Sequence, residues 1–135
     1  MTTEVRPDVD IEDDIHRLIG TFAPLKASRS YFDFRSEGGK ITLHGNVRSP
    51  QAKRVLLDNV PRVAGVADHD ASDLFDDEEV KFSVAQLLPP GVYANVHYGA
   101  VTLTGTLPEG ANADAIAKEI GNLPGVRRVA LDLSP

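Results

Sequence analysis

The chain has 135 residues with 14 Lys or Arg against 20 Asp or Glu, a net charge of -6 that excludes the strongly basic balance of a nucleic-acid binder. It contains no cysteine, which removes disulfide scaffolds, thiolate zinc sites and cysteine nucleophiles. No stretch approaches the roughly 20 apolar residues of a membrane span.

The segment Met1 to Asp14 carries six acids and lacks the basic opening and the apolar run of roughly 7–15 residues that mark a secretory signal. Taken as the true start, it predicts a cytoplasmic protein, at most peripheral to a membrane. Charge is unevenly spread: -4 over residues 1–23, +5 over 24–66 and -7 over 67–135. A basic first part and an acidic second part favour head-to-tail association, or the approach of one end to an anionic surface.

Ile11, Ile15, Leu18 and Ile19 form one apolar stripe and predict a helix from Asp8 to Ile19, with Asp8 as its N-cap. Ser30 to Arg35 alternates, with Phe32 and Phe34 on one face, and predicts a strand; Glu37-Gly38-Gly39 is turn chemistry. Lys40 to Val47 is the hairpin partner. Ser49-Pro50 opens a helix with stripe Ala52, Val55, Leu56 and Val60, ending near Asn59, and Val63 to Val66 leads into a short strand ending near Leu74.

The same order returns. Asp76 or Asp77 caps a helix with stripe Val80, Val84, Leu87 and Leu88, stopped at Pro89-Pro90-Gly91. Val92 to Val96 is a strand, His97-Tyr98-Gly99 a turn, and Ala100 to Leu107 the hairpin partner. A helix at 113–122 and a strand from Arg128 to Leu133 follow. The repetition is literal: Ile41-Thr42-Leu43-His44-Gly45-Asn46-Val47 recurs 60 residues on as Val101-Thr102-Leu103-Thr104-Gly105-Thr106-Leu107, and Gly65-Val66 as Gly125-Val126. A fixed offset held over such a length marks two copies of one supersecondary unit. The first copy carries about nine extra residues around Phe22 to Arg29.

The expected class is therefore α+β: two helix-strand-strand-helix-strand units, residues 1–74 and 75–135, each a two-layer sandwich with a small mixed three-stranded sheet. Helices cover one sheet face, leaving the other bare unless the copies or two chains cover it.

The pattern of a glycine, then [Ile/Val]-Thr-Leu-x-Gly-x-[Val/Leu], a helix and Gly-Val before a last strand resembles the BON domain, a bacterial module named for osmotically inducible and nodulation proteins. Here it is met by Gly39, Ile41–Val47 and Gly65-Val66, and again by Gly99, Val101–Leu107 and Gly125-Val126. The resemblance implies a non-catalytic tandem module that attaches to membranes or phospholipids, often in the cell envelope, with some members tied to ion or osmotic responses.

Gly45, Gly65, Gly105 and Gly125 are expected to be structural, serving left-handed backbone, bulges or close packing. Gly38-Gly39-Lys40 lacks the spacing of a phosphate loop. His16, His44, His69 and His97 are scattered and form no triad. Lys53, Arg54 and Arg62 are the expected contacts for an anionic partner, with Arg48, Arg127 and Arg128 as further surface cations. Asp68, Asp70 and Asp73 are the candidate cation ligands within an acidic inter-repeat linker reaching Glu79. No cofactor and no active site are expected. The expected function is docking on a phospholipid surface or a partner protein in an osmotic or envelope stress response. A small-cation sensor and a self-assembling structural protein, a homo-oligomer, are the alternatives.

Overall fold

A computed structural model describes residues 6–134; Glu4 and the opening of the acidic N-terminal segment lie outside them. The first unit comprises helix α1 (Asp8–Thr21), a short helix α2 (Ala23–Ser28), strands β1 (Phe32–Glu37) and β2 (Lys40–Val47), helix α3 (Pro50–Asn59) with a 3-10 turn (Val60–Arg62), and strand β3 (Asp68–Asp76). The second comprises α4 (Asp77–Ala85), β4 (Val92–His97), β5 (Ala100–Thr106), α5 (Ala113–Gly121) and β6 (Arg128–Ser134).

Each unit forms one mixed three-stranded sheet, ordered β1-β2-β3 and β4-β5-β6, with an antiparallel hairpin and a parallel third strand beside the hairpin's second. Crossover through α3 or α5 sets that direction, and it puts the helices on one sheet face. Strand alternation then sorts the side chains. Phe32, Ile41, Leu43, Val47 and Leu74 meet Ile11, Ile15, Ile19, Leu25, Ala52, Leu56 and Val60 in the first core. Val92, Val96, Val101 and Leu103 meet Val80, Val84 and Ile120 in the second. The first core holds 12 buried residues and the second 7, so the second unit leaves more apolar surface half-covered. The outward side chains, among them Asp33, Arg35, Tyr93, Asn95 and Asp132, are exposed: within this chain the outer sheet faces stay bare.

Local chemistry explains the boundaries. Ser49 caps α3 by accepting from the Ala52 N–H, with Pro50 at the first helical position. Asp76 caps α4 through a capping box: its carboxylate accepts from the Glu79 N–H while the Glu79 carboxylate accepts from the Asp76 N–H. Both hairpins turn on two left-handed residues, Gly38 and Gly39 (φ 59° and 84°) and Tyr98 and Gly99 (φ 49° and 76°), the form that matches strand twist.

Four expectations need correction. Pro7, not Asp8, is the N-cap of α1, and Asp8 spends its carboxylate elsewhere. The extra residues of the first copy build α2, which its six-residue length and Pro24 hid from periodicity. The α4 helix stops at Ala85, so Leu87 and Leu88 pack against the core from outside it. There is no acidic linker: β3 continues to Asp76 and α4 begins at Asp77.

Candidate functional site

The chemically richest place in the chain is where the units meet. They join end to end: the Tyr98-Gly99 turn of the second unit sits on the base of the first. The Tyr98 ring stacks on Tyr31, centroids 3.8 Å apart and 4° from parallel. The Tyr98 hydroxyl lies 3.0 Å from Ser28 Oγ on α2. Cations flank both rings, Arg48 over Tyr98 at 5.7 Å and Arg127 over Tyr31 at 5.6 Å. His97 meets both rings edge-on.

Beneath this stack lies a polar network. Asp77, 6 % exposed, accepts from the backbone N–H groups of Tyr98 (2.8 Å) and Gly99 (3.1 Å) and from Arg48 (2.7 Å). Arg48 also donates to the Val96 carbonyl at 3.0 Å. The Asn46 amide donates to the Gly125 carbonyl at 2.8 Å. Among the described residues no buried side-chain nitrogen or oxygen lacks a partner. Such a satisfied network fixes one geometry rather than presenting a reactive group.

The four repeated glycines all have positive φ: 112°, 93°, 103° and 85° at Gly45, Gly65, Gly105 and Gly125. Gly45 pairs with Phe32, and a Cβ there would lie 2.5 Å from the Tyr31 carbonyl oxygen. At Gly125 a Cβ would meet Phe75 Cγ at 2.7 Å and Val80 Cγ2 at 2.8 Å. The close neighbour is backbone at Gly45 and core side chains at Gly125.

The expected anion contacts are not brought to one place as free charges. Lys53 donates to Glu79 at 2.9 Å across the junction and its side chain is only 20 % exposed. Arg54 beside it, lining an open groove with Gln51 and Asp58, and Arg62 on the 3-10 turn have no ion-pair partner among the described residues. Asp68, Asp70 and Asp73 lie on the outer strand β3. Asp70 accepts from both the N–H and the Oγ of Ser72, at 2.9 and 2.7 Å, bracing a bulge between Thr42 and His44 in the register. Those bonds, the hydroxyl's first, hold its carboxyl below the usual carboxylate range. Among the described residues no three His, Cys, Asp or Glu side chains are grouped to hold a metal ion, and no helix is long and apolar enough to cross a membrane.

Sequence reasoning passed over Tyr31, Tyr98 and the exposed aromatics of the second unit. Phe82 is 71 % exposed and Tyr93 67 %. Tyr93 borders a groove of about 470 Å³ lined by Lys81, Ala85, Leu88, Pro90 and Val92. The available signal for Tyr98 was its register: it occupies the place of Gly38, where a bulky residue is conformationally costly.

The family model described as BON domain matches residues 76–134, the second unit. No curated protein matches the chain. Among solved structures, the chain is similar to the C-terminal domain of CdsD, the structural protein of the Type III secretion system of Chlamydia trachomatis, at 18 % identity and a TM-score of 0.73. That match covers 99 % of this chain and 70 % of that one. A second CdsD structure matches with a TM-score of 0.74 and 18 % identity, over 97 % of this chain and 64 % of that one. At this identity the likeness is one of fold, and it runs through both units.

Proposed function

We propose that the chain is a non-catalytic tandem BON module, with units at residues 1–74 and 75–135, that docks on a protein partner. The observation that carries this reading is Tyr93, a large aromatic left exposed on an apolar groove with Ala85, Leu88 and Pro90, on the unit that matches the family. Exposed apolar patches with aromatic members mark contact surfaces. The Asp77–Arg48 and Lys53–Glu79 pairs are consumed in holding the units together. The fold-likeness to a structural protein of a secretion assembly supports the same class of role.

A photoreactive phenylalanine analogue placed at position 93, irradiated in the cells that make the protein, tests it. One discrete adduct that disappears with Ala85→Glu, in the same groove, is expected; no adduct, or an unselective smear unaffected by Ala85→Glu, overturns the reading.

A second reading, docking on phospholipid, is favoured by Arg54 and Arg62, whose guanidinium groups are exposed and unpaired among the described residues. It predicts flotation with anionic vesicles that grows with anionic content, weakens with salt and is lost when both arginines become glutamate. Equal behaviour on neutral vesicles removes it.

A further inference from the structure

Each sheet ends in strands with one unpaired edge, and such edges invite pairing with another chain unless they are blunted. The β3 edge is blunted: Asp68, Asp70 and Asp73 charge it and the Asp70–Ser72 bulge bends it. The β6 edge is different. It pairs with β5 without a register break from Arg128 to Ser134 and contains no proline. We propose that β6 is a dimerisation edge, pairing antiparallel with β6 of a second copy about a two-fold axis at Ala130.

Three observations lead there. First, the Leu107 N–H donates to the Ser134 carbonyl at 3.1 Å, so the even-numbered residues of β6 direct their backbone groups at β5. Val129, Leu131 and Leu133 therefore direct theirs outward, at the open edge. Second, Leu131 stands opposite Leu103 on the core-facing side yet is 42 % exposed. The core-facing residues of the other edge strand of this sheet, Val92 and Val96, are 5 % and 6 % exposed, and Leu74 on β3 is fully buried. The apolar cover missing from the second unit is missing along β6.

Third, the edge is self-complementary in charge. With Ala130 opposite its own copy, Val129 faces the second copy's Leu131 as a hydrogen-bonded pair, joining the outward backbone groups. Arg128 then faces Asp132 as a non-hydrogen-bonded pair, where side chains come closest. Symmetry makes two such ion pairs. A slip by one step in either direction sets Arg128 against Ala130 or Ser134 and loses both. Arg128 and Asp132 are exposed and have no ion-pair partner among the described residues. The product is one six-stranded sheet running through two copies.

This inference does not depend on the docking role, because its readout is the mass of the purified chain. Sedimentation velocity over a micromolar to millimolar series is expected to show a species of twice the 14.5 kDa chain mass. Arg128→Asp alone and Asp132→Arg alone, each setting like charges opposite one another, weaken dimerisation by about tenfold or more, and the double reversal restores it. Because the chain has no cysteine, Ala130→Cys supplies one thiol on the axis, at a spacing a disulfide bridges. It is expected to oxidise to a linked dimer, whereas Ala115→Cys, exposed on α5, is not. A monomer throughout the series, a dimer indifferent to the single reversals, or equal cross-linking at positions 115 and 130 overturns the proposal.

Discussion

Asp8 and Asp77 hold the same post in the two units. Each is the first residue of its unit's leading helix, and each turns its carboxylate onto the hairpin turn of its own sheet. Asp8 accepts from the N–H groups of Gly38 (3.0 Å) and Gly39 (3.3 Å), Asp77 from those of Tyr98 (2.8 Å) and Gly99 (3.1 Å). The two aspartates are 69 residues apart while the sheet cores repeat at 60, and the nine-residue difference is the insertion that contains α2. Asp8 completes its set with Ser36 Oγ at 2.7 Å; Asp77 completes its own with Arg48 from the other unit. One device, used twice, is local in the first copy and spans the junction in the second.

The Asp8 contacts make a pH prediction. The Ser36 hydroxyl first, then the Gly38 and Gly39 N–H groups, hold its carboxyl below the usual 3.8. A carboxyl depressed in the folded state contributes stability above its unfolded pKa and loses it as pH falls through the folded value. Asp8→Asn should therefore lower the urea midpoint at pH 7 and pH 5 alike, with the gap from the parent closing below about pH 4. An unchanged gap at pH 2.5 would mean that the charge is not what holds the turn.

Removing the buried counterpart should cost more. Asp77→Ala leaves two turn N–H groups buried without an acceptor and frees Arg48 from its partner, an expected loss of about 2–4 kcal/mol in urea denaturation. The single transition is expected to split into two, because the same residue holds the turn and the junction.

The stacked tyrosines allow a separate measurement. Tyr98→Phe keeps the ring and removes only the hydroxyl contact to Ser28, which still donates to the Pro24 carbonyl at 2.9 Å, so about 0.5–1 kcal/mol is expected. A cycle of Tyr31→Ala, Tyr98→Ala and the double variant should return a coupling of about 0.5–1.5 kcal/mol. A coupling of zero would mean that the rings touch without contributing to the join.

Glycine sites of equal backbone handedness should differ in cost. Gly38 has φ 59° and open space where a Cβ would go, so Gly38→Ala is expected to lose about 1 kcal/mol through backbone strain alone. Gly45→Ala adds a collision with the Tyr31 carbonyl and the Phe32 backbone, and about 3 kcal/mol or more is expected. Equal thermal midpoints for the two variants would contradict the close approach at Gly45.

Much of this architecture is local and so was legible. Apolar spacing disclosed the four longer helices and the six strands, Ser49-Pro50 and Asp76 marked two helix starts, and Gly-containing turns placed both hairpins. What escaped notice depends on distance along the chain. That Asp8 serves a turn 30 residues away, or Asp77 one 21 away, follows only from docking helix ends over hairpins. Lys53 looked available because its partner, Glu79, was placed in a solvated linker; continuous β3–α4 backbone brings the two together instead. The tyrosine stack joins residues 67 apart, and neither ring has a counterpart in the other copy to signal it.

Asp76 ends one strand and caps the next helix, so the boundary between the halves has no width. Phe75, a residue of β3, already packs into the core of the half that follows. A cut anywhere near this point must therefore mutilate one half, and neither is a detachable part to be lent to another protein. The spacing between the last strand of one half and the first helix of the other is thereby set by the backbone itself, with no residue between Asp76 and Asp77 to vary it.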